Sequence, residues 1–197
     1  MEENQTYPVF IKLNRLQILI VGGGNVGLEK AHALLENCAQ ANITVVALDF
    51  LPGMVALTRQ YPNISLIRKS FSCGDLLGKD LVIAATNITE FNYHIWENAK
   101  GSKVLINVAD TPELCDFYLG SVVRKGNLKI GISTNGKSPT VAKRLKQVLQ
   151  EAIPDTLDEV LIKLSIIRDR LKGDFASKVK QLNNITEVLV KPESEQL

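Results

Sequence analysis

The sequence predicts an α/β fold: a parallel sheet with helices on both faces, then a small strand-containing segment and a helical C-terminal region. Three observations predict it. Short apolar, β-branched runs alternate with segments of helical period in the order β-α-β-α-β-β-α-β as far as Asp110. A glycine-rich turn, Gly22-Gly23-Gly24-Asn25-Val26-Gly27, links the first run to the first periodic segment. Beyond Asp110 the alternation stops, and two further short extended runs lead into helical pattern. At 197 residues the chain is long for one domain and short for two. The expected organisation is 1–112 as a nucleotide-binding-type domain, 113–150 as a strand-rich segment and 151–197 as a helical region.

Each element has its own signal. Leu16–Val21 is an apolar run that ends in glycines, a buried strand entering a turn. Leu28, Ala31, Leu34, Leu35 and Cys38 recur at helical spacing. Ile43–Leu48 is β-branched and strand-like. Pro52 starts a helix through Gln60, and Ile64–Ile67 is a short strand. Asp80–Ala85 reads as a buried strand, Glu90–Ala99 as a helix and Lys103–Ala109 as another strand. Thr111-Pro112 breaks the chain. Tyr118–Val123 and Leu128–Ser133 are extended. Ser138 is suited to cap a helix with Pro139 at its first position, running on to Ile153. Asp155 or Thr156 caps a helix to Leu171, and an amphipathic segment covers Asp174–Val190.

Composition narrows the function. Apolar residues make up 45% and charged residues 22%, so a packed core is expected rather than disorder. The 23 basic and 21 acidic residues leave a net charge of +2, which gives no reason to expect nucleic acid across the whole surface. No apolar run approaches the length of a membrane span. The first five residues are acidic and polar rather than basic, unlike a signal peptide, so a cytoplasmic protein without membrane association is expected. Cys38, Cys73 and Cys115 form no CxxC pair, and His32 and His94 are isolated. Neither a disulfide framework nor a resident metal site is expected.

Gly22, Gly24 and Gly27 form a GxGxxG pattern between a strand and a helix. In a dinucleotide-binding (Rossmann-type) turn the first glycine permits the tight bend, the second lets backbone approach a pyrophosphate, and the third lets the helix sit close to the strand. Free N–H groups at the helix start then face the phosphates. Asp49 follows the second strand, where an acid accepts hydrogen bonds from the adenosine ribose of NAD. The alternatives are a surface aspartate, or a fold that has lost its cofactor. Thr86 and Asn87 end the fourth strand. They either line the cofactor cleft or form a turn and helix start, with Thr89 as the cap. Asp110 stands at the carboxyl end of the last sheet strand, where it serves as a general base, orients a substrate, or simply caps the turn.

From Phe117 to Gln150 there is no acid, and there are seven bases: Arg124, Lys125, Lys129, Lys137, Lys143, Arg144 and Lys146. One sign of charge along a cleft concentrates ligands of the other sign. The loop Ser133-Thr134-Asn135-Gly136-Lys137-Ser138 adds hydroxyls, backbone N–H groups and a lysine ahead of a helix, a set suited to carboxylate or phosphate. It is not a P-loop, and the stretch lacks the aromatic pattern of an RNA-binding sheet. A solvated helix face accounts equally for Lys143, Arg144 and Lys146. Cys115 is either reactive or simply a small buried residue.

Several segments together resemble one family. Tyr7-Pro8-Val9-Phe10, ILIVGGGNVGLEKAHALL (18–35), VIAATN (82–87), NVADTPELCDF (107–117) and GISTNGKSPTVAKRLK (131–146) stand in the order and spacing of the precorrin-2 dehydrogenase / sirohydrochlorin ferrochelatase family, the N-terminal module of siroheme synthases. The resemblance implies NAD-dependent oxidation of precorrin-2 to sirohydrochlorin, with Fe²⁺ (or, on a cobalamin branch, Co²⁺) inserted by some members. It implies a homodimer whose interface lies largely in the segment after the Rossmann domain. The family's essential aspartate falls on Asp110. Its cofactor contacts fall on the glycine turn, Asn25-Val26 and Leu48-Asp49, and its substrate-side serine region falls on Ser133-Thr134. The basic stretch, with Asn135 and Lys137, suits a polycarboxylate substrate.

Two departures stand out. Gly27 occupies a position where many members carry alanine, and Thr134-Asn135 replaces a common Ser-Gly. No methyltransferase module follows, so synthesis of precorrin-2 itself is not expected of this chain. Two other function classes compete: an NAD-binding regulatory module, which needs the glycine turn but not Asp110, and a polyanion binder, marked by steep salt dependence.

Overall fold

The structure is a computed structural model that describes residues 4 and 6–187. These form two compact units that divide between Leu119 and Gly120. The first holds β1 (Gln17–Val21), α1 (Asn25–Asn37), β2 (Asn42–Ala47), α2 (Pro52–Gln60), β3 (Ile64–Arg68), β4 (Leu81–Ala84), α3 (Thr89–Ser102) and β5 (Leu105–Val108). The five strands make one parallel sheet in the order β3-β2-β1-β4-β5. The expected Rossmann-type architecture, including the succession β-α-β-α-β-β-α-β, is therefore present.

Strand periodicity explains the two cores. Successive side chains point to opposite faces. Ile18, Ile20, Ile43, Val45 and Ile83 thus join Ala31, Leu34 and Leu35 of α1 and Met54 and Leu57 of α2 on one face. Leu19, Val21, Val82, Ala84, Ile106 and Val108 join Ile95 and Ala99 of α3 on the other. Because both faces are covered, the strands read as continuous apolar runs rather than alternating ones. β1 and β4 are buried along nearly their whole length.

The second unit holds β6 (Ser121–Lys125) and β7 (Leu128–Ile132), an antiparallel pair, followed by α4 (Pro139–Ala152), α5 (Leu157–Arg170) and α6 (Phe175–Thr186). Gly126 takes a left-handed φ of 56° in the hairpin turn, a conformation open to glycine at no steric cost. Asp158 at the start of α5 fastens that turn by accepting from Asn127 N at 2.6 Å and from its Nδ2 at 2.8 Å. Ser138 caps α4 by accepting from Val141 N at 3.3 Å, with Pro139 first in the helix as expected.

Several boundaries differ from expectation for local reasons. The strand expected from Lys103 begins at Leu105, because Lys103 ends α3 in a left-handed conformation with φ 57°. The extended run expected at Tyr118–Val123 is a strand only from Ser121. Leu119 instead packs on the first core. Thr89 is the first residue of α3, whose N-cap is Ile88 without a side-chain cap. α6 closes at Thr186, and the end expected at Val190 lies outside the described residues. Three short 3-10 turns, Leu13–Arg15, Cys73–Leu76 and Pro112–Leu114, are too short to carry a periodic signal in the sequence.

Gly27 has no room for a side chain, since a Cβ there would collide with the carbonyl oxygen of Gly22. Gly27→Ala is expected to destabilise the protein by about 1–3 kcal/mol through overpacking. Urea unfolding should show a lower midpoint with an unchanged slope. A midpoint equal to that of the parent would mean the turn opens freely.

Candidate functional site

The sheet order turns back between β1 and β4, which places the crevice of an open α/β sheet at their carboxyl ends. The glycine turn occupies that point. Gly22 has φ 128°, and a Cβ on it would strike the Ala85 carbonyl at the end of β4. A Cβ on Gly23 would strike the Asp49 carbonyl and the Phe50 ring. Close backbone approach is thus what this turn requires of its glycines.

Gly24 differs from its neighbours. Nothing lies within 4 Å of where its Cβ would stand. It is the N-cap of α1, and no side chain caps that helix. Gly24 and Asn25 are exposed, Val26 is half-buried and Gly27 is buried. An uncapped helix start beside open space is a ready anion site, with unpaired N–H groups and the positive end of the helix dipole. These residues fit the pyrophosphate of a dinucleotide.

The other expected residues of the first unit lie along the same edge of the sheet. Leu48 and Asp49 follow β2, and both are exposed. Asp49 is paired with Arg68 at 2.5 Å, a partner that sequence reasoning missed. Thr86 follows β4, and its groups are engaged with Asn92. The hydroxyl donates to Asn92 Oδ1 at 2.6 Å, the Thr86 N–H donates to the same oxygen, and Asn92 Nδ2 donates to the Thr86 carbonyl at 3.0 Å. Asn92 is buried and fixes this strand end. Asn87 beside it is exposed.

Asp110 follows β5 and is exposed, with a left-handed φ of 59°. Aspartate tolerates this region better than most residues, and such conformations gather at functional turns. Among the described residues its carboxylate has no hydrogen-bond or ion-pair partner. The surrounding segment is tightly held. Buried Asn107 donates to the Phe117 carbonyl at 2.8 Å. The Cys115 sulfur accepts from Val108 N at 3.2 Å and lies 3.3 Å from the Val108 carbonyl. Asp116 accepts from Ile106 N at 3.0 Å and pairs with Lys100. Asn107, Cys115 and Asp116 therefore support the turn that carries Asp110.

In the second unit the loop before α4 is built from its own polar groups. Ser133 Oγ accepts from Asn135 N at 3.2 Å, and Thr134 Oγ1 accepts from Ser138 N at 3.1 Å. Asn135 and Gly136 take φ of 53° and 74°. Asparagine readily occupies a conformation that glycine favours, so Asn135 in place of the common glycine is conservative for the backbone. Ser133 and Lys137 are exposed. The basic stretch is not wholly available to a ligand, since Lys125 is largely buried and paired with Asp155 at 2.5 Å. Among the described residues no group of three metal-ligating side chains forms, and no helix is long and apolar enough to cross a membrane.

Burial pushes the Cys115 thiol above its ordinary range, so less thiolate is present at mildly alkaline pH. Cys115 is thus a packing residue. With iodoacetamide at pH 8, peptide mapping should find exposed Cys73 modified well before Cys115. Equal rates would contradict the packing role.

Comparison with known proteins agrees with this fold. A family model described as putative NAD(P)-binding matches residues 9–121, and one described as sirohaem biosynthesis protein central matches residues 125–152. The siroheme synthase of Pseudoalteromonas translucida (strain TAC 125) is 36% identical over 177 residues, covering 90% of this chain and 35% of that protein. The siroheme synthase of Psychrobacter cryohalolentis is 35% identical, with 90% and 32% covered. The chain thus spans about a third of the length of the curated relatives it matches. A solved structure described as SirC, precorrin-2 dehydrogenase, superposes with a TM-score of 0.71 at 24% identity, covering 91% of this chain and 89% of that one, and shares its fold. The chain belongs to the family whose model is described as putative NAD(P)-binding, and beyond that domain it carries a segment that matches the sirohaem biosynthesis protein central model.

Proposed function

We propose that the chain is an NAD-dependent precorrin-2 dehydrogenase that forms sirohydrochlorin. The observation that carries the reading is the position of Asp110. It is an exposed carboxylate in a left-handed turn, on the same sheet edge as the uncapped start of α1. The name of the structural relative and the siroheme synthases support the choice of substrate.

The reaction removes two hydrogens from the substrate, one as hydride and one as a proton. NAD⁺, when bound, supplies the hydride acceptor. This chain supplies binding and proton handling. The Gly24–Gly27 turn takes the pyrophosphate, and Asp49 takes the adenosine ribose. Thr86 and Asn87 border the cleft at the end of β4. Asp110 accepts the proton that leaves with the hydride, or holds a pyrrole N–H in place while it leaves. In the second unit Ser133, Thr134, Asn135 and Lys137 form the loop proposed to take substrate carboxylates, for which hydroxyls, main-chain N–H groups and a lysine are suitable donors. Iron is a substrate of a proposed further step, insertion into sirohydrochlorin, in which Asp110 accepts the pyrrole protons. A homodimer and a cytoplasmic location complete the proposal.

Asp110→Asn keeps the left-handed turn, since asparagine tolerates it, and removes the base. Anaerobic turnover of precorrin-2 with NAD⁺ is expected to fall by about 10²–10⁴-fold, with thermal stability unchanged. Near-normal turnover by the folded variant would remove Asp110 from the mechanism. Absence of NAD⁺-dependent oxidation in the parent protein would favour a regulatory NAD-binding module. Adding Fe²⁺ to the same assay tests insertion, which should exceed the rate without protein.

A further inference from the structure

Arg68 ends β3, in register with Ala47 of β2. Two residues beyond Ala47, the Asp49 carboxylate accepts a hydrogen bond from Arg68 Nη1 at 2.5 Å. The guanidinium carbon also lies 5.9 Å from the centroid of the Phe50 ring. This group is built against the glycine turn. The Asp49 carbonyl and the Phe50 ring are the atoms that a Cβ on Gly23 would strike, and Leu51 N donates to the Gly23 carbonyl at 3.0 Å. The pair therefore stands where the adenosine end of a dinucleotide on this turn would come.

Both partners are open to solvent, with side-chain exposures of 65% for Arg68 and 87% for Asp49. An exposed pair is weakly held and rearranges readily. Its two members favour different ligands. A carboxylate accepts from the ribose 2′-hydroxyl of NAD and repels a 2′-phosphate. A guanidinium stays charged and presents a planar fork that matches phosphate oxygens.

We propose that Arg68 is a specificity-determining residue of the dinucleotide site. It steadies Asp49 for the ribose of NAD and offers a partner to the 2′-phosphate of NADP. The protein consequently takes both dinucleotides, with NAD the tighter. The inference rests on the dinucleotide reading above and adds the group that makes the discrimination graded rather than absolute.

Titration calorimetry with NAD⁺ and with NADP⁺ tests it by binding alone. The parent protein is expected to bind NAD⁺ more tightly and NADP⁺ measurably, the latter weakening with added salt. Arg68→Gln should weaken NADP⁺ by about tenfold and NAD⁺ by less than about fivefold. Asp49→Asn should weaken NAD⁺ and strengthen NADP⁺, and the double variant should lose that gain. An Arg68→Gln protein with an unchanged ratio of the two affinities overturns the proposal and leaves the dinucleotide reading intact. So does an Asp49→Asn protein with no gain for NADP⁺. A parent protein that binds neither dinucleotide overturns both.

Discussion

Backbone contact between the glycine turn and its neighbours sets the geometry of the whole first unit. Gly22 lies under the Ala85 carbonyl, Gly23 against the Asp49 carbonyl and Gly27 against the Gly22 carbonyl. Each contact is with main chain, which cannot swing aside as a long side chain can. A Cβ at any of the three would force strands or helix apart rather than merely crowd a rotamer. The consequences reach beyond the turn. β1 can lie between β2 and β4 with full pairing, α1 can start directly at the sheet edge, and the ends of β2 and β4 converge on one point. Gly24 is the exception that gives the turn a use, because its surroundings are empty.

Around that turn, polar side chains, two of them the buried Asn92 and Asn107, act as supports. Asn92 holds the end of β4, and Asn107, Cys115 and Asp116 hold the end of β5. A buried amide without partners is costly, whereas a satisfied one pins its segment to a single arrangement. Asn92 and Asn107 make several bonds each, which tie the loops after β4 and β5 to the sheet. Asp110 sits at the tip of one of these loops, and Thr86 at the base of the other. A catalytic group works best when its supports are fixed and its own atoms are free.

The succession of strands and helices and the glycine turn were legible because they depend on local period and on residue types with few other uses; the strand order was not, because it is set by pairing between distant segments. Ile18, Ile20, Leu19 and Val21 alternate by face, and a GxGxxG between a strand and a helix leaves few alternatives. Arg68 was not legible. Its importance comes from strand register, which brings β3 beside β2 and has no trace in the sequence of either strand alone. Asn92 and Asn107 were missed for a related reason, since an asparagine in a helix or strand looks solvent-facing until its partner is placed. The basic stretch was legible as composition and misleading as availability. Lys125 is paired with Asp155, which lies thirty residues away in the chain and outside the acid-free window.

The left-handed residues connect sequence with chemistry most directly. Among the described residues, three that are not glycine have positive φ: Lys103, Asp110 and Asn135. Lys103 is explained by helix ending, as the C-cap of α3. Asp110 and Asn135 end no helix, and glycine would hold either position at lower conformational cost. Asn135 keeps a short polar side chain where the family commonly has none, and Asp110 keeps a carboxylate. The Asp110 carboxylate takes no part in holding its segment, which Asn107, Cys115 and Asp116 do. The carboxylate is left over from the folding problem, at the carboxyl edge of a sheet built to hold a dinucleotide.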